Sequence, residues 1–532
     1  MPTKIRSSLT TLLFVILGIF LTASLIITVT GFLKVKQNAD FVSLGYFNLG
    51  ELILGISIGI VLLIVCYLLA VWLSHRFAGW YLFALGLITL PKFGLVFFWH
   101  LKPATDMATY NAVAGLHSAG LTWPQLFLKG YLENDAIWPH MMNISETYSV
   151  VYWLFGNQVW ILQLFQIALT FSSAILIYAT VKHFASRKIA LFSGLLFYLL
   201  PTDYWYSSLL GSENLELFSM LLAIYGLFRL LDTNIDLKSQ NWWTTFIFTI
   251  FALILAQMIR PDLPIVLIAI IIFGLLAAKR SQWSTFLAIL LVAVAFVLFS
   301  PAIERTVYQV PIAPSFLQAK YTITTGIDLT TGGRFNPEVA NTMLTMNGIN
   351  PKTGSLIHPA KSYAAQRNQT NRNIQQINQY LTSKFNSHNN YWRDNQNQLP
   401  GFVRAKAETL ASPIYGDDYL LISYPRQLDN NYGTVYSQPK PVNRLWVYIS
   451  YGFEILLMIL GCGSLFPDKN TRSLRIFMAL MFIGLSLFSL IVEVQSRYQA
   501  QLDLPLIILA GLGFERLRFL ATSLSAKLKV VL

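Results

Sequence analysis

Long apolar runs, separated by short polar segments, recur along almost the whole chain. Because a helix needs about 20 mostly apolar residues to cross a bilayer, this pattern predicts twelve membrane-spanning helices. Their predicted ranges are 10–33, 51–73, 79–100, 155–181, 189–209, 213–231, 243–259, 262–278, 283–302, 444–464, 474–492 and 500–520. Pro261 stands at the boundary of the seventh and eighth ranges, where a proline either breaks one long span or joins two. The pattern therefore predicts an all-α polytopic membrane protein.

Two polar segments are too long to be turns between spans. The first is a loop, 101–154, and the second is a soluble insert, 304–443, of about 140 residues, large enough for a small α or α+β domain. The middle of the insert is rich in Asn and Gln, with spaced apolar residues that predict one or two surface helices. The stretch TTGIDLTTGGRFN predicts a turn, since Gly332 and Gly333 permit positive φ.

These segments divide the chain into four predicted parts. Residues 1–78 form two additional N-terminal transmembrane helices, and residues 79–303 form a transmembrane core that includes the first loop. The insert, 304–443, lies between the ninth and tenth spans, and residues 444–532 hold the C-terminal helices and a basic tail.

Composition and charge support this reading and orient the chain. Only 12% of the residues are charged and the mean hydropathy is +0.53, whereas soluble proteins have about 25% charged residues. With the N-terminus inside, 17 Lys and Arg residues fall on cytoplasmic segments and four on short outside turns, as the positive-inside rule predicts. We therefore expect a multi-pass cell-membrane protein with both termini cytoplasmic and both polar segments outside. Without a basic cluster on a soluble module, the net charge of +13 does not indicate nucleic-acid binding.

The first loop contains an acid that is a candidate for catalysis. If the chain after Pro103 is helical, Asp106 and Tyr110 lie on one face as an i, i+4 pair, with Lys102 shortly before them. A carboxylate in a partly dry pocket acts as a general base on a hydroxyl. The alternative is that Asp106, helped by Thr105, caps a short interfacial helix.

A second pair of acids flanks the connection between two predicted spans. Asp203 lies near the end of one span, and Glu213 begins the next. The helix macrodipole favours Glu213 at a helix N-terminus without any function. The functional alternative is that both acids face one outer cavity.

Two further connections bring arginines to the same predicted side. Arg260-Pro261-Asp262 either holds a local ion pair or presents an arginine that binds a phosphate through two parallel hydrogen bonds. The connection before the last span is either a solvated turn or part of the same cavity. Its ionisable and aromatic residues are Glu493, Arg497, Tyr498 and Asp503.

Five segments follow one another in a fixed order along the chain, and four of them carry candidate residues named above. They are TDMATYNAVA, ETYSVVYWLFGNQVWILQLFQIAL, LLPTDYWYSSLLGSENLELF, MIRPDLP and EVQSRYQAQLDLP. Their order and spacing resemble the GT-C glycosyltransferases, in the branch that contains the protein O-mannosyltransferases and the lipid A aminoarabinose transferase. The TTGIDLTTGGRFN stretch also resembles a glycine- and asparagine-bearing segment in the large outer loop of bacterial members. The resemblance covers residues 79–520.

The resemblance implies a polyprenyl-phosphate-sugar donor, transfer on the extracytoplasmic face and inversion at the sugar carbon. It implies that Asp106 is the base or orients the acceptor, while Arg260 and Arg497 neutralise the lipid phosphate and Lys102 helps. The predicted catalytic acids are Asp106, Asp203 and Glu213. The predicted substrate-binding residues are Lys102, Tyr110, Arg260, Arg497 and Tyr498.

One position departs from the family pattern. Many members carry a second acid or Gln directly after the first Asp, whereas this chain has Met107. The second carboxylate would then come from Asp203 or Asp135. Carboxylates of this kind could also hold Mg²⁺ or Mn²⁺, and the sequence indicates no other cofactor.

The acceptor is a glycan, a lipid or a protein, and the residues do not distinguish among these. A transporter or flippase for a lipid-linked saccharide is the main alternative, but it should show inverted repeats and broken helices near the midplane. We find no repeat that relates the two halves of the chain. A polysaccharide polymerase or ligase is the third reading, and the early Asp-x-x-x-Tyr motif favours the transferase.

Overall fold

The computed structural model describes most of the chain. The described residues exclude 1–2, 35–36, 39–42, 46, 133–136, 233–238, 262, 280–281, 351–355, 358–359, 361, 416–418, 420–422, 424–440, 467 and 532. Within them the protein is predominantly α-helical, with one short antiparallel hairpin formed by β1 (Gln37–Asn38) and β2 (Ser43–Gly45).

Nine helices among the described residues are long and apolar enough to cross a membrane. They are α1 (Thr3–Lys34), α2 (Leu49–Ser74), α3 (Gly79–Phe97), α7 (Val159–Phe184), α10 (Glu213–Asp232), α11 (Gln240–Ile259), α13 (Trp283–Tyr308), α18 (Pro441–Gly463) and α19 (Arg472–Ile491). The structure thus confirms a helical protein with many candidate spans, and nine helices of its described part meet this criterion, against twelve predicted.

The helices observed at the other three predicted spans differ from the prediction in identifiable ways. The range 189–209 is divided into α8 (Arg187–Tyr198) and α9 (Pro201–Tyr206), because Pro201 has no N–H to continue a helix and begins a new one. Helix α12 (Leu263–Ala277) is apolar but has only 15 residues. Helix α20 (Gln499–Val531) is long, but polar residues occupy its first turn and basic residues its later turns.

The remaining helices lie in the two polar segments. The first loop contains α4 (Asp106–Ser118), α5 (Trp123–Leu128) and α6 (His140–Phe155). The insert contains α14 (Ser315–Gly326), α15 (Pro337–Met346), α16 (Tyr363–Asp394) and α17 (Leu399–Leu410), with a 3₁₀ turn at Gln396–Gln398. The Asn- and Gln-rich middle of the insert is the 32-residue helix α16. Its buried Ile374, Ile377 and Leu381 pack with α14 and α15.

Helices α2 and α18 show how the N-terminal helices join the bundle. Asn48 and Glu51 form a reciprocal capping box that starts α2. Glu51 also accepts a hydrogen bond of 2.9 Å from Arg444 in α18. Further along, a Cβ on Gly452 would lie 2.2 Å from the Gly55 carbonyl carbon, so the two backbones are in direct contact. Small residues at such a crossing permit close helix packing in membranes.

Candidate active site

Side chains from widely separated parts of the chain line one cavity of about 350 Å³. Its charged side chains come from α4 and from the connections that follow α11 and α19, and the start of α6 and α14 add further polar groups. The main polar lining residues are Asp106, Tyr110, His140, Arg260, Glu493 and Arg497. Pro264, Val297 and Phe488 supply an apolar wall from α12, α13 and α19. The cavity therefore combines charged groups with a surface suited to hydrocarbon.

Asp106 is the first residue of α4 and not its cap. Thr105 is the N-cap residue, with φ +51°, and its side chain makes no capping hydrogen bond. The Asp106 carboxylate, 43% exposed, instead accepts a hydrogen bond of 3.0 Å from Arg497 Nη2. The predicted i, i+4 relationship holds, because Tyr110 lies one turn later and lines the same cavity.

Tyr110 is buried beneath Asp106, and its ring meets the edge of Tyr148 at a centroid distance of 6.4 Å. Burial raises the pKa of Tyr110 well above its ordinary value. The hydroxyl of Tyr148 donates to the carbonyl of Leu210 at 3.1 Å. This contact joins the first loop to the connection before α10.

Glu213 lies behind the cavity wall and holds both arginines. Its Oε1 is 2.6 Å from Arg260 Nη2 and 3.8 Å from Arg497 Nε. Tyr206 donates a hydrogen bond to its other oxygen. The Glu213 side chain is only 1% exposed, so its position suits orientation of the arginines rather than contact with a substrate.

The arginines have further partners that fix their planes. Arg260 Nε lies 3.5 Å from Glu216 Oε2, and its guanidinium carbon lies 5.0 Å from the centre of the Tyr498 ring. Arg497 lies 5.6 Å from the centre of the Tyr419 ring. Because planar contacts and ion pairs restrict a guanidinium, both groups are preorganised at the cavity.

The structure does not bring Lys102 and Asp203 to the cavity lining. The Lys102 side chain is exposed, and its backbone N–H donates to the Ser423 carbonyl at 2.8 Å. Asp203 is buried in α9, close to Lys92, whose ammonium donates to Ser207 at 2.6 Å. Asp135 and Asp262, also considered from the sequence, lie outside the described residues.

Two lining residues stand out that the predicted site omits. His140 is the first residue of α6, and burial lowers its pKa to about 4, with Arg260 acting in the same direction. It is therefore neutral at neutral pH. Its sequence signal was one of the two histidines in the first loop, His117 and His140. Glu493 is 3% exposed and accepts a hydrogen bond of 2.6 Å from Gln495. Burial raises its pKa above the ordinary value, although it lies near Arg497.

A divalent cation has little support from the side chains in place. Asp106 and Glu493 are the carboxylates of the described cavity lining. Within the described part of the chain, no group of three or more His, Cys, Asp and Glu side chains is placed to share a metal ion. The described lining offers Asp106, Glu493 and His140 as donors, but it does not group them around one ion.

Part of the chain matches a known protein family. Residues 147–304 match the family model of dolichyl-phosphate-mannose-protein mannosyltransferases, which is less than a third of the 532 residues. This match supports a GT-C-type membrane glycosyltransferase. The matched part runs from α6 into α13 and includes Glu213 and Arg260, whereas Asp106 and Arg497 lie outside it. No curated protein matches the chain.

Proposed function

We propose that this protein transfers a sugar from a polyprenyl-phosphate donor to an acceptor hydroxyl on the extracytoplasmic face of the membrane. The observation that carries the proposal is the meeting of one carboxylate, Asp106, with two arginines, Arg260 and Arg497, at one cavity with an apolar wall. The matched family description, which names a dolichyl-phosphate-linked sugar, supports the same class of donor.

The two arginines would bind the phosphate of the donor. A guanidinium offers paired N–H donors that fit phosphate oxygens, and Glu213 orients both guanidinium groups from the buried side. The phosphate would replace Asp106 as a partner of Arg497, which releases the carboxylate for the acceptor. The apolar wall at Pro264 and Phe488 would contact the first part of the polyprenyl chain.

The proposed reaction is a single inverting displacement at the sugar. Asp106 takes the proton of the acceptor hydroxyl as its oxygen bonds to the anomeric carbon. The bond from that carbon to the phosphate oxygen breaks, and the electron pair leaves with the lipid phosphate. Stabilising the charge that develops on a leaving group in a preorganised site is usually the largest catalytic term. Here Arg260 and Arg497 stabilise the negative charge on the leaving lipid phosphate.

His140, in its neutral form, would complete the pocket around the sugar or the acceptor together with Glu493. Both line the cavity, and a buried carboxyl with a raised pKa can donate a hydrogen bond as well as accept one. In this scheme Glu493 takes the place of a second carboxylate on the cavity wall. The acceptor is a glycan, a lipid or a protein of the cell envelope.

The test is incubation of the purified protein with a radiolabelled polyprenyl-phosphate hexose and membrane or envelope fractions as acceptor. We expect label to leave the lipid and to appear in a product that organic solvent does not extract. Movement of intact donor across a proteoliposome bilayer without bond formation would instead indicate a flippase. Use of a lipid-linked oligosaccharide, with no use of the monosaccharide donor, would indicate a ligase.

A further inference from the structure

The segment that leads to Arg497 is bonded to the insert. The backbone N–H of Glu493 donates to the Thr322 carbonyl at 2.7 Å, and the N–H of Val494 donates to the Gly333 carbonyl at 2.9 Å. The Val492 carbonyl accepts a hydrogen bond of 2.6 Å from the ammonium of Lys406. Three consecutive residues of this connection, 492–494, therefore have partners in α14, in the turn that follows it and in α17.

The glycines of the TTGIDLTTGG stretch permit this close approach. A Cβ on Gly326 would lie 2.3 Å from the Val492 carbonyl carbon and 2.5 Å from the Ile491 oxygen. Gly333 has φ +74°, and a Cβ there would lie 2.7 Å from the Gly326 oxygen. Neither position accepts a larger residue without moving the backbone. The stretch thus has a packing role against residues 491–493, although it is remote from them in sequence.

Lys406 links the two sides of this contact. It is 0% exposed, and its ammonium donates to the carbonyls of Gly326 at 2.7 Å and Val492 at 2.6 Å. A buried ammonium is costly unless hydrogen bonds and a nearby anion compensate it. Glu493 is the nearby acid. Burial lowers the pKa of Lys406 to about 8, which fits a lysine retained inside the protein for its contacts.

We propose that Lys406 is a positioning residue through which the insert holds residues 492–494 and thereby sets the place of Arg497 at the cavity. Arg497 follows this fixed segment by three residues, in the 3₁₀ turn Ser496–Tyr498. Its guanidinium has to lie within reach of both Asp106 and Glu213. The insert would therefore be part of the active-site framework and not a separate appendage. The catalytic consequence depends on the function proposed above, whereas the positional claim does not.

Hydrogen–deuterium exchange of the full-length protein in nanodiscs tests the positional claim. In Lys406→Met, we expect faster exchange of the Glu493 and Val494 amides and no change in α3, which packs against α7 and α8. Lys384→Met is the matched control, because Lys384 lies in the same insert and is 36% exposed. Exchange at 492–494 that is the same in Lys406→Met and wild type would overturn the proposal.

A wild-type measurement covers the case in which Lys406→Met does not fold. If the insert holds the segment, the Glu493 and Val494 amides of the wild-type protein should be protected as strongly as amides in the middle of α17. Rapid exchange at 492–494 beside a protected α17 would contradict the proposal as directly as the variant would.

The kinetic test separates this proposal from the proposed function. We expect Lys406→Met to lower kcat by about 10²-fold, the cost of a misplacement of about 1 Å, and to add little in an Arg497→Ala background. Additive effects of the two changes would show that Lys406 does not act through Arg497. If the wild-type protein transfers no sugar, the proposed function fails, but the exchange results still decide the positional claim.

Discussion

Asp106 Oδ2 and Arg497 Nη2 lie 3.0 Å apart, although 391 positions separate the two residues in the chain. The contact joins the first loop to the connection before the last helix. It places an acid suited to proton transfer beside a guanidinium suited to phosphate.

Asp106→Asn should abolish sugar transfer without loss of the fold. The amide keeps the shape of the side chain but cannot take a proton, and loss of a general base typically costs about 10²–10⁴-fold in rate. Initial rates with a polyprenyl-phosphate hexose measure this. Asp394→Asn is the control, because Asp394 is an acid on α16 with 69% of its side chain exposed. Near wild-type transfer by Asp106→Asn would remove Asp106 from the reaction.

Arg497→Lys should weaken binding of the lipid phosphate although the positive charge is retained. A lysine ammonium cannot reproduce the planar fork that reaches Asp106 and Glu213 together. Binding of polyprenyl phosphate to the purified variant, followed by intrinsic fluorescence, measures the effect. Arg404→Lys is the matched change at an exposed i, i+4 pair with Glu408. Equal affinities for wild type and Arg497→Lys would contradict this assignment.

Glu213→Gln should destabilise the protein as well as reduce activity. Removing one member of a buried ion pair leaves the other charge uncompensated, at a cost of about 3–5 kcal/mol. Glu216 remains beside Arg260, so we expect the lower end of that range. The thermal unfolding midpoint in detergent measures it. Glu338→Gln, at an acid whose side chain is 78% exposed, should shift the midpoint little. If both variants unfold alike, Glu213 does not carry the structural role assigned to it.

Gly452→Ala should weaken the contact between α2 and α18. The new methyl would lie 2.2 Å from the Gly55 carbonyl carbon, which forces the two helices apart. Overpacking of this kind typically costs about 1–3 kcal/mol. Gly86→Ala is the matched control, because nothing lies within 4 Å of the Cβ it would add in α3. The unfolding midpoint should fall for the first variant and stay level or rise for the second.

The sequence predicted most of the candidate membrane spans, because a long apolar run such as that of α2 has few alternatives to a membrane span. It was wrong about 189–209, where hydropathy continued across Pro201 but the helix did not. Pro261 gave the opposite outcome, since the break predicted there separates α11 from α12. Hydropathy averages over a window, whereas a missing N–H acts at one residue.

For the site, the sequence predicted several of the residues that come together but not the direction of every side chain. The order of charged residues along the chain grouped Asp106, Arg260 and Arg497, which the structure brings to one cavity. Sequence could not show that Lys102 faces solvent or that Glu213 lies behind the arginines, because side-chain direction at a loop or helix start depends on tertiary packing. The backbone contacts of Gly333 with residue 494 were equally invisible, since no charge or periodicity marks them.

A pH effect on stability should arise at His117 and Glu146, away from the proposed chemistry. His117 Nε2 lies 3.1 Å from Glu146 Oε2, and its Nδ1 lies 2.7 Å from the Leu121 carbonyl. Only the protonated imidazolium of His117 donates a hydrogen bond to both the Glu146 carboxylate and the Leu121 carbonyl. The hydrogen bond to Glu146 raises the pKa of His117 above its ordinary value of 6.5, and burial opposes it. This pair ties α4 to α6, the two helices that supply Asp106 and His140.

The sign of the effect follows from the raised pKa. The stabilisation is fully present below pH 6.5, where His117 is protonated in both the folded and the unfolded chain, and it is lost as pH rises through the higher folded pKa. Both side chains are partly exposed, so solvent screening limits it to about 1 kcal/mol or less. Unfolding midpoints between pH 5.5 and pH 8, roughly the range over which histidine titrates, should fall in the wild-type protein. His117→Gln should lower the midpoint at pH 5.5 more than at pH 8. A variant that loses the same stability at both ends would show that the protonated histidine is not what stabilises this contact.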